Sequence, residues 1–431
     1  MDLLDMPPEI VQKIIANHVS EVGVCEAWRG RQTCRTFASY IAEEIFARQP
    51  TKAFKENAHS ETFLRDQLAK FLIYRCRSLH GANPVLPQFI RDITARFMKT
   101  IGDDSDTMRD YLTSALSYAV GRNRDSVDRL IFNPKPATIA KLIGTKKEEH
   151  DVAAAIAIGN KTVFAAIIVG HEEYLFEDSH IFGSPLAIAA VKGEVNMVAA
   201  ILDVGVRFPH ENRWVRHHFL ARGIEGALKR RFCTTALTIL RRYREYLGNA
   251  CSLPQSCLDN WILFAANGKS EETITAILQL NGDERRVADI TVRGVIKHLP
   301  DSLLIREILN IGRARMKHYM MRKQSTQLLH WAVPMQSMVG VRALLDNGAD
   351  PNGTHGAMVR DDFRPPVPMH SAVSNCDKDM VKLLLDRGAN PNHMFDSQGQ
   401  LSHVSVKKKN KSIVRLLEKA KREFKISPLE P

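Results

Sequence analysis

Two histidines are the first candidates for chemistry, because His330 and His370 occupy the same position in two similar segments of the chain. An imidazole can ligate a metal ion or transfer a proton near neutral pH. The two residues lie in adjacent copies, and we find no acidic or cysteine partner that would complete a ligand set. We therefore predict a structural role for both.

Other residue types give no sign of catalysis. The seven cysteines are odd in number and lack CxxC spacing, and the pair Cys251 and Cys257 has no matching second pair, so the thiols are expected to be reduced and free of zinc. The motifs GxxxxGK(S/T), GxGxxG, HExxH and GxSxG and the protein-kinase set are absent. His217 and His218 are predicted to be solvated. The sequence predicts a non-enzyme without cofactor or metal.

The net charge of +12 comes from two stretches of the chain. Residues 207–245 hold ten Lys/Arg against three acids, and residues 401–431 hold nine against three. Three interpretations stay open: a solvated surface, an acidic protein partner, or nucleic acid with Trp214 stacking among the cations. No DNA-reading motif is recognisable, so direct sequence-specific DNA binding is not expected. The run Lys407–Lys411 fits either a nuclear import signal or a terminal helix.

The candidate residues lie in a repeated element. Residues 327–352 read QLLHWAVPMQSMVGVRALLDNGADPN, and residues 367–392 read VPMHSAVSNCDKDMVKLLLDRGANPN, so equivalent residues recur 40 positions apart. Such fixed spacing indicates stacked structural repeats. Small residues on a first helix and an aliphatic pair on a second define the unit, and a further copy covers residues 184–205.

This unit resembles the ankyrin repeat, with its TPLHxAA turn and LLxxGA ending. The resemblance implies a local hydrogen-bonding role for His330 and His370. Ser184 is expected to cap a helix whose first turn contains Pro185, and Gly205 is expected to end a helix in the left-handed conformation. The terminal aliphatic pair recurs at residues 131, 168, 202, 240, 278, 309, 345, 385 and 417, close to the period of about 33 residues. We predict an all-α fold: an ankyrin-repeat solenoid of about nine helix-turn-helix repeats over residues 111–425.

The first 50 residues resemble an F-box. LLDMPPEIVQKII predicts an amphipathic helix that begins at a proline pair, followed by a loop at residues 20–25 and helices at residues 26–35 and 37–46. The resemblance implies docking on a Skp-type adaptor of a cullin–RING ubiquitin ligase through Leu4, Pro7, Pro8, Ile10, Ile14 and Ile15. The alternative is that these residues only pack a small helical cap onto the next domain.

The remaining segments complete the predicted organisation. Residues 51–110 are expected to form a helical connector, and residues 426–431 a tail. Insertions in a repeat array fall in loops that often bind partners. We therefore predict partner-binding loops in two insertions, containing Arg213, Trp214 and Arg216 and then Arg360, Asp361, Asp362 and Phe363.

The N-terminus, with two acids and two prolines before any apolar run, does not resemble a signal peptide. Residues 152–170 are apolar, but Gly159, Asn160 and Lys161 interrupt them, which predicts two short helices and no membrane association. The expected location is intracellular, in the nucleus, the cytoplasm or both.

Two functions follow from the resemblances. The first is a non-catalytic, regulatory protein-binding scaffold, similar to fungal ankyrin-repeat proteins with an F-box-like opening, some of which act as transcription coregulators. The alternative is a substrate receptor for a ubiquitin ligase. The identity of the protein partner cannot be read from the sequence.

Overall fold

The computed structural model describes residues 6–77, 85–122, 124–132, 134–144, 147–207, 213–247, 254–281, 287–311, 318–353, 368–395 and 411–424. These residues form helices joined by turns and contain no β-strand; an isolated antiparallel bridge pairs Ser179 with Gly183. The predicted all-α class is confirmed. Within the described ranges, no helix is long and apolar enough to span a membrane.

The chain divides into two compact units, Met1–Ala227 and Leu228–Pro431. The helices of the first unit are α1 (Pro8–Gly30), α2 (Arg35–Glu43), α3 (Ala58–Asp66), α4 (Leu68–Arg77), α5 (Val85–Ile101), α6 (Asp106–Val120), α7 (Arg124–Phe132), α8 (Pro136–Leu142), α9 (Lys147–Ile158), α10 (Lys161–Ile168), α11 (Pro185–Lys192), α12 (Val195–Arg207) and α13 (Arg213–Lys229), which ends just beyond the unit boundary. The predicted segment boundaries at residues 50, 110 and 425 stay predictions.

Helix α1 begins at Pro8, as its proline pair predicts, and buries a stripe of Val11, Ile15 and Val19. The predicted loop at residues 20–25 is wrong: this stretch is helical and only kinks at Gly23, where φ is +82°. Glycine makes this kink possible because it reaches positive φ without steric cost. A 3-10 turn at Arg31–Thr33, helix α2 and a π-helical turn at Glu44–Arg48 follow.

A buried arginine joins the N-terminal helices to α4. Arg75 is only 2% exposed, and its guanidinium donates hydrogen bonds to the carbonyl oxygens of Phe46, at 2.7 Å, and Gln49. Burial lowers the pKa of Arg75 to about 10, so the group stays charged at neutral pH. Nearby, the ring of Trp28 packs edge-on against Phe46 with centroids 5.1 Å apart. Residues on both sides of position 50 thus share one core.

The apolar stretch at residues 152–170 forms two helices, α9 and α10, as predicted. Gly159 has a φ of +80°, and the side-chain oxygen of Asn160 caps α10 by accepting from Thr162 N at 2.9 Å. A left-handed glycine and a capping asparagine are ordinary helix stop and start signals. The break therefore follows from local sequence.

The copy at residues 184–205 is helical in both halves, but two of its predicted details are wrong. Pro185 begins α11 and left-handed Gly193 ends it, while the Ser184 side chain makes no capping hydrogen bond. Gly205 lies inside α12, which continues to Arg207, and it is not among the glycines of positive φ. Because Gly205 does not adopt a positive φ, α12 continues through this residue.

The helices of the second unit are α14 (Cys233–Leu247), α15 (Gln255–Asn267), α16 (Glu271–Asn281), α17 (Asp289–His298), α18 (Leu304–Asn310), α19 (His318–Ala332), α20 (Met338–Asp346), α21 (Pro368–Ser374), α22 (Lys378–Asp386) and α23 (Lys411–Phe424). Helices α15, α17 and α19 pack in succession, and α14, α16, α18 and α20 pack in a second succession. We call the helices α15, α17, α19 and α21 the first helices, and α14, α16, α18, α20, α22 and α23 the second helices.

A buried histidine in the first unit makes its stability sensitive to pH. His150, on α9, is 1% exposed, and its Nδ1 lies 2.9 Å from the hydroxyl of Ser179, which also accepts from Phe182 N at 3.0 Å. Burial, with smaller contributions in the same direction from the nearby His180 and Arg96, lowers the pKa of His150 to about 4. The folded state therefore holds this imidazole neutral.

We predict that the first unit loses stability between pH 7 and pH 5. The unfolded chain takes up a proton at His150 near its ordinary pKa of about 6.5, whereas the folded chain does not, so acid favours unfolding by up to about 3 kcal/mol once pH approaches 4. Hydrogen exchange of α9 amides at several pH values measures this loss. His150→Gln should flatten the pH dependence, whereas the same change at exposed His59 should leave it intact; equal slopes for both variants would contradict the assignment.

Candidate functional site

The predicted adaptor-docking residues divide between surface and core. Pro7 and Pro8 are exposed, and Ile10 and Ile14 are 43% and 39% exposed on one side of α1. Ile15 is 1% exposed because it continues the buried stripe, so its assignment to a docking surface is wrong. The last member of the set, Leu4, lies outside the described residues.

The first of the two predicted partner-binding loops is helical, and the second lies outside the described residues. Arg213, Trp214 and Arg216 all belong to helix α13, so their assignment to a loop is wrong, and Arg216 is half-buried. The insertion at Arg213–Arg216 was inferred because these residues fit the repeat pattern poorly. They fit poorly because α13 is a helix of 17 residues, longer than the first helix of the repeat unit. Arg360, Asp361, Asp362 and Phe363 lie outside the described residues.

The repeated histidines hold turns in place. The Nε2 atom of His370 lies 3.2 Å from the carbonyl oxygen of His393, which confirms its predicted local hydrogen-bonding role. In the preceding copy the imidazole of His330 lies so close to Gly353 that a Cβ there would meet it at 2.7 Å. Both contacts join a first helix to the turn 23 residues later in the sequence.

An asparagine side chain links the turns of the two copies. Asn352 Oδ1 accepts from Asn390 N at 2.7 Å, and its Nδ2 donates to Gly388 O at 3.4 Å. Gly348 and Gly388 occupy equivalent positions after α20 and α22, with φ of +81° and +87°. The endings GADPN and GANPN therefore encode both the helix stop and the contact between copies.

The second helices pair their charges with one another. Asp346 accepts from Arg306 at 3.2 Å and from Arg387 at 2.6 Å, and so connects α20 with α18 and with the residue that follows α22. Arg241 on α14 likewise faces Glu272 on α16 at 3.4 Å. These ion pairs are exposed and contribute little energy.

The first helices carry an exposed aromatic site. Trp331 and Met335 are 44% and 38% exposed, and the guanidinium of Arg293 lies 5.3 Å from the centroid of the Trp331 ring. Lys297 follows Arg293 by one helical turn and is exposed. Sequence reasoning missed this site, although Trp331 directly follows the repeated histidine His330.

Carboxylates are scarce on the first helices. Among their described residues the two acids are Asp259, which accepts from Ala288 N at 3.0 Å, and Asp289, which accepts from the side chain of Gln324. Neither is therefore a free surface charge. The described residues also hold no group of three His, Cys, Asp or Glu that could bind a metal ion.

We predict that Asn352→Ala destabilises the second unit by about 1–2 kcal/mol, because it leaves Asn390 N and Gly388 O without their inter-copy partner. Chemical denaturation measures the loss. The matched control is Asn392→Ala at the equivalent position 40 residues later, whose side chain makes no hydrogen bond with the described residues. Similar effects of the two substitutions would show that Asn352 does not link the copies.

The comparisons with known proteins agree with the geometry of these turns. No curated protein matches the chain by sequence comparison. Residues 367–394, which contain α21, α22 and most of the turn held by His370, match the family model of the ankyrin repeat. This part of the second unit is similar to an ankyrin repeat, a type of module that implies a role in protein–protein interaction.

Proposed function

We propose that the protein is a non-catalytic scaffold of ankyrin-type helix pairs that binds a protein partner and acts as a regulator. The observation that carries the proposal is the pairing of a matched ankyrin repeat, residues 367–394, with a preceding copy joined to it through Asn352. Repeats of this kind need their neighbours to bury their apolar faces. An exposed aromatic site on the first helices of the same unit supplies a binding surface.

Burial of the aliphatic pairs supports the proposal of about nine repeats over residues 111–425. Each pair lies in a helix, and in each pair at least one member is buried. They are Leu130–Ile131, Ile167–Ile168, Ile201–Leu202, Ile239–Leu240, Ile277–Leu278, Ile308–Leu309, Leu344–Leu345, Leu384–Leu385 and Leu416–Leu417. An apolar pair at this spacing stabilises the packing of each helix against its neighbours.

We propose further that the regulation concerns transcription, through a protein partner and without direct reading of DNA sequence. The resemblance to fungal coregulators supports this proposal, and the lysine run Lys407–Lys411 supports entry into the nucleus. Nuclear enrichment of the tagged chain and altered transcript levels after its deletion are expected. Purely cytoplasmic protein whose loss changes no transcript would contradict the coregulator role.

We predict that the full chain, used as bait in its own cells, retains at least one specific protein. Leu384→Ala should reduce this retention, because deleting a fully buried leucine side chain costs about 2–5 kcal/mol and weakens the stack. Leu303→Ala removes a side chain that is 77% exposed and should retain the partner. Quantitative mass spectrometry of the retained proteins measures the difference, and equal retention by both variants would contradict a role for the stack.

A second candidate function is a substrate receptor of a cullin–RING ubiquitin ligase. The observation that favours it is the exposure of Pro7, Pro8, Ile10 and Ile14 at the start of α1. Exposed isoleucines one turn apart form an apolar strip that a partner helix could cover. In this proposal residues 1–50 dock on a Skp-type adaptor and the repeats hold the substrate.

The adaptor proposal predicts a stable complex with a purified Skp-type adaptor in size-exclusion chromatography. Ile10→Asp/Ile14→Asp should abolish the complex by placing two carboxylates on the apolar strip. The matched control, Asn17→Asp/Ser20→Asp, adds the same two charges at exposed positions of the same helix and should leave the complex intact. Absence of a complex with the unmodified chain would end the ligase proposal.

A further inference from the structure

The first helices of the second unit carry cations that no carboxylate of the described structure neutralises. Arg293, Lys297, Arg322 and Lys323 form no ion pair with any described residue. On the second helices Arg241 and Arg306 have acidic partners, as does Arg387 just after α22, whereas the exposed Lys382 forms no ion pair with the described residues. The positive charge of the first helices is therefore available to a bound molecule.

The apolar part of this surface lies beside the cations. Trp331 is exposed in the last turn of α19 and Met335 in the turn that follows it, and Arg293 reaches across from α17 to lie over the indole ring. The Nε atom of Arg293 is buried and has no hydrogen-bond partner among the described residues. The indole thus positions a guanidinium whose remaining N–H groups can bind a carboxylate in a bidentate manner.

We propose that this surface, defined by Arg293, Lys297, Trp331 and Met335, binds an acidic peptide segment that carries an apolar side chain. The inference rests on the proposed protein-binding function and specifies the chemistry of the partner. Carboxylates of the peptide pair with Arg293 and Lys297, and its apolar side chain covers Trp331 and Met335. Aromatic and arginine residues at the centre of an interface commonly carry most of its binding energy.

The arrangement favours a peptide over a nucleic acid. Single-stranded nucleic acids bind by stacking their bases on open aromatic faces. Here one face of Trp331 is already occupied by Arg293, and the neighbouring Met335 offers an aliphatic surface rather than a stacking one. An acidic peptide can use both the fixed guanidinium of Arg293 and the apolar surface of Met335, since its carboxylates need cations and its apolar side chain needs an apolar contact.

The test measures fluorescence anisotropy of a labelled peptide of repeated Glu-Glu-Leu triplets with the full chain at low ionic strength. Lys297→Glu should weaken binding about tenfold or more, because it replaces attraction with repulsion at the contact. The matched control, Lys382→Glu, makes the same charge reversal on a second helix and should change affinity less than about twofold. Trp331→Ala should weaken binding even at high salt.

Three outcomes of the binding assay would overturn the inference. One is equal weakening by Lys297→Glu and Lys382→Glu, and another is binding of a Gln-Gln-Leu peptide as tight as that of Glu-Glu-Leu. The third is a single-stranded oligonucleotide that binds more tightly than the peptide and whose binding is lost in Lys297→Glu.

If the bait retains cellular proteins that neither Lys297→Glu nor Trp331→Ala releases, this inference fails while the scaffold function stands. A bait that retains no protein overturns both.

Discussion

The stack depends on one constraint: a single pair of short helices cannot bury its own apolar face. Leu344 and Leu384 are both fully buried, yet each lies on a helix of nine residues, which is too short to be stable alone. Their burial requires the neighbouring pairs to be held in register. The hydrogen bonds of Asn352 to the next turn provide that register with directional contacts that apolar packing lacks.

This constraint explains which parts of the fold could be predicted from the sequence. The spacing of aliphatic pairs predicts helices correctly, because all nine pairs lie in helices and each has a buried member. Turn residues predict helix ends less reliably, since a glycine ends a helix only where the backbone adopts a positive φ. Gly348 and Gly388 meet that condition, whereas Gly205 lies within a continuing helix. Ser184 shows the same limit, because Pro185 begins its helix without a side-chain cap.

The candidate site was harder to predict because it arises between repeats. Arg293 and Trp331 lie 38 positions apart and meet only when α17 packs against α19. No local motif contains both residues, and a search for insertions passes over them since both belong to regular helices. Insertions instead pointed to Arg213 and Arg216, which the structure places in α13. The signal that could have found the site was an aromatic residue beside the repeated His330.

The two layers of the second unit divide stability from recognition. Histidine, asparagine and glycine in the turns, with leucines in the second helices, hold the repeats together, and Asp346 adds exposed ion pairs with Arg306 and Arg387. A surface whose charges are already paired offers little attraction to a charged partner. Arg293 and Lys297 on the first helices form no ion pair with the described residues, so their positive charge can attract another molecule. Because these residues contribute little to the core, substitutions there can change partner choice without disturbing the stack.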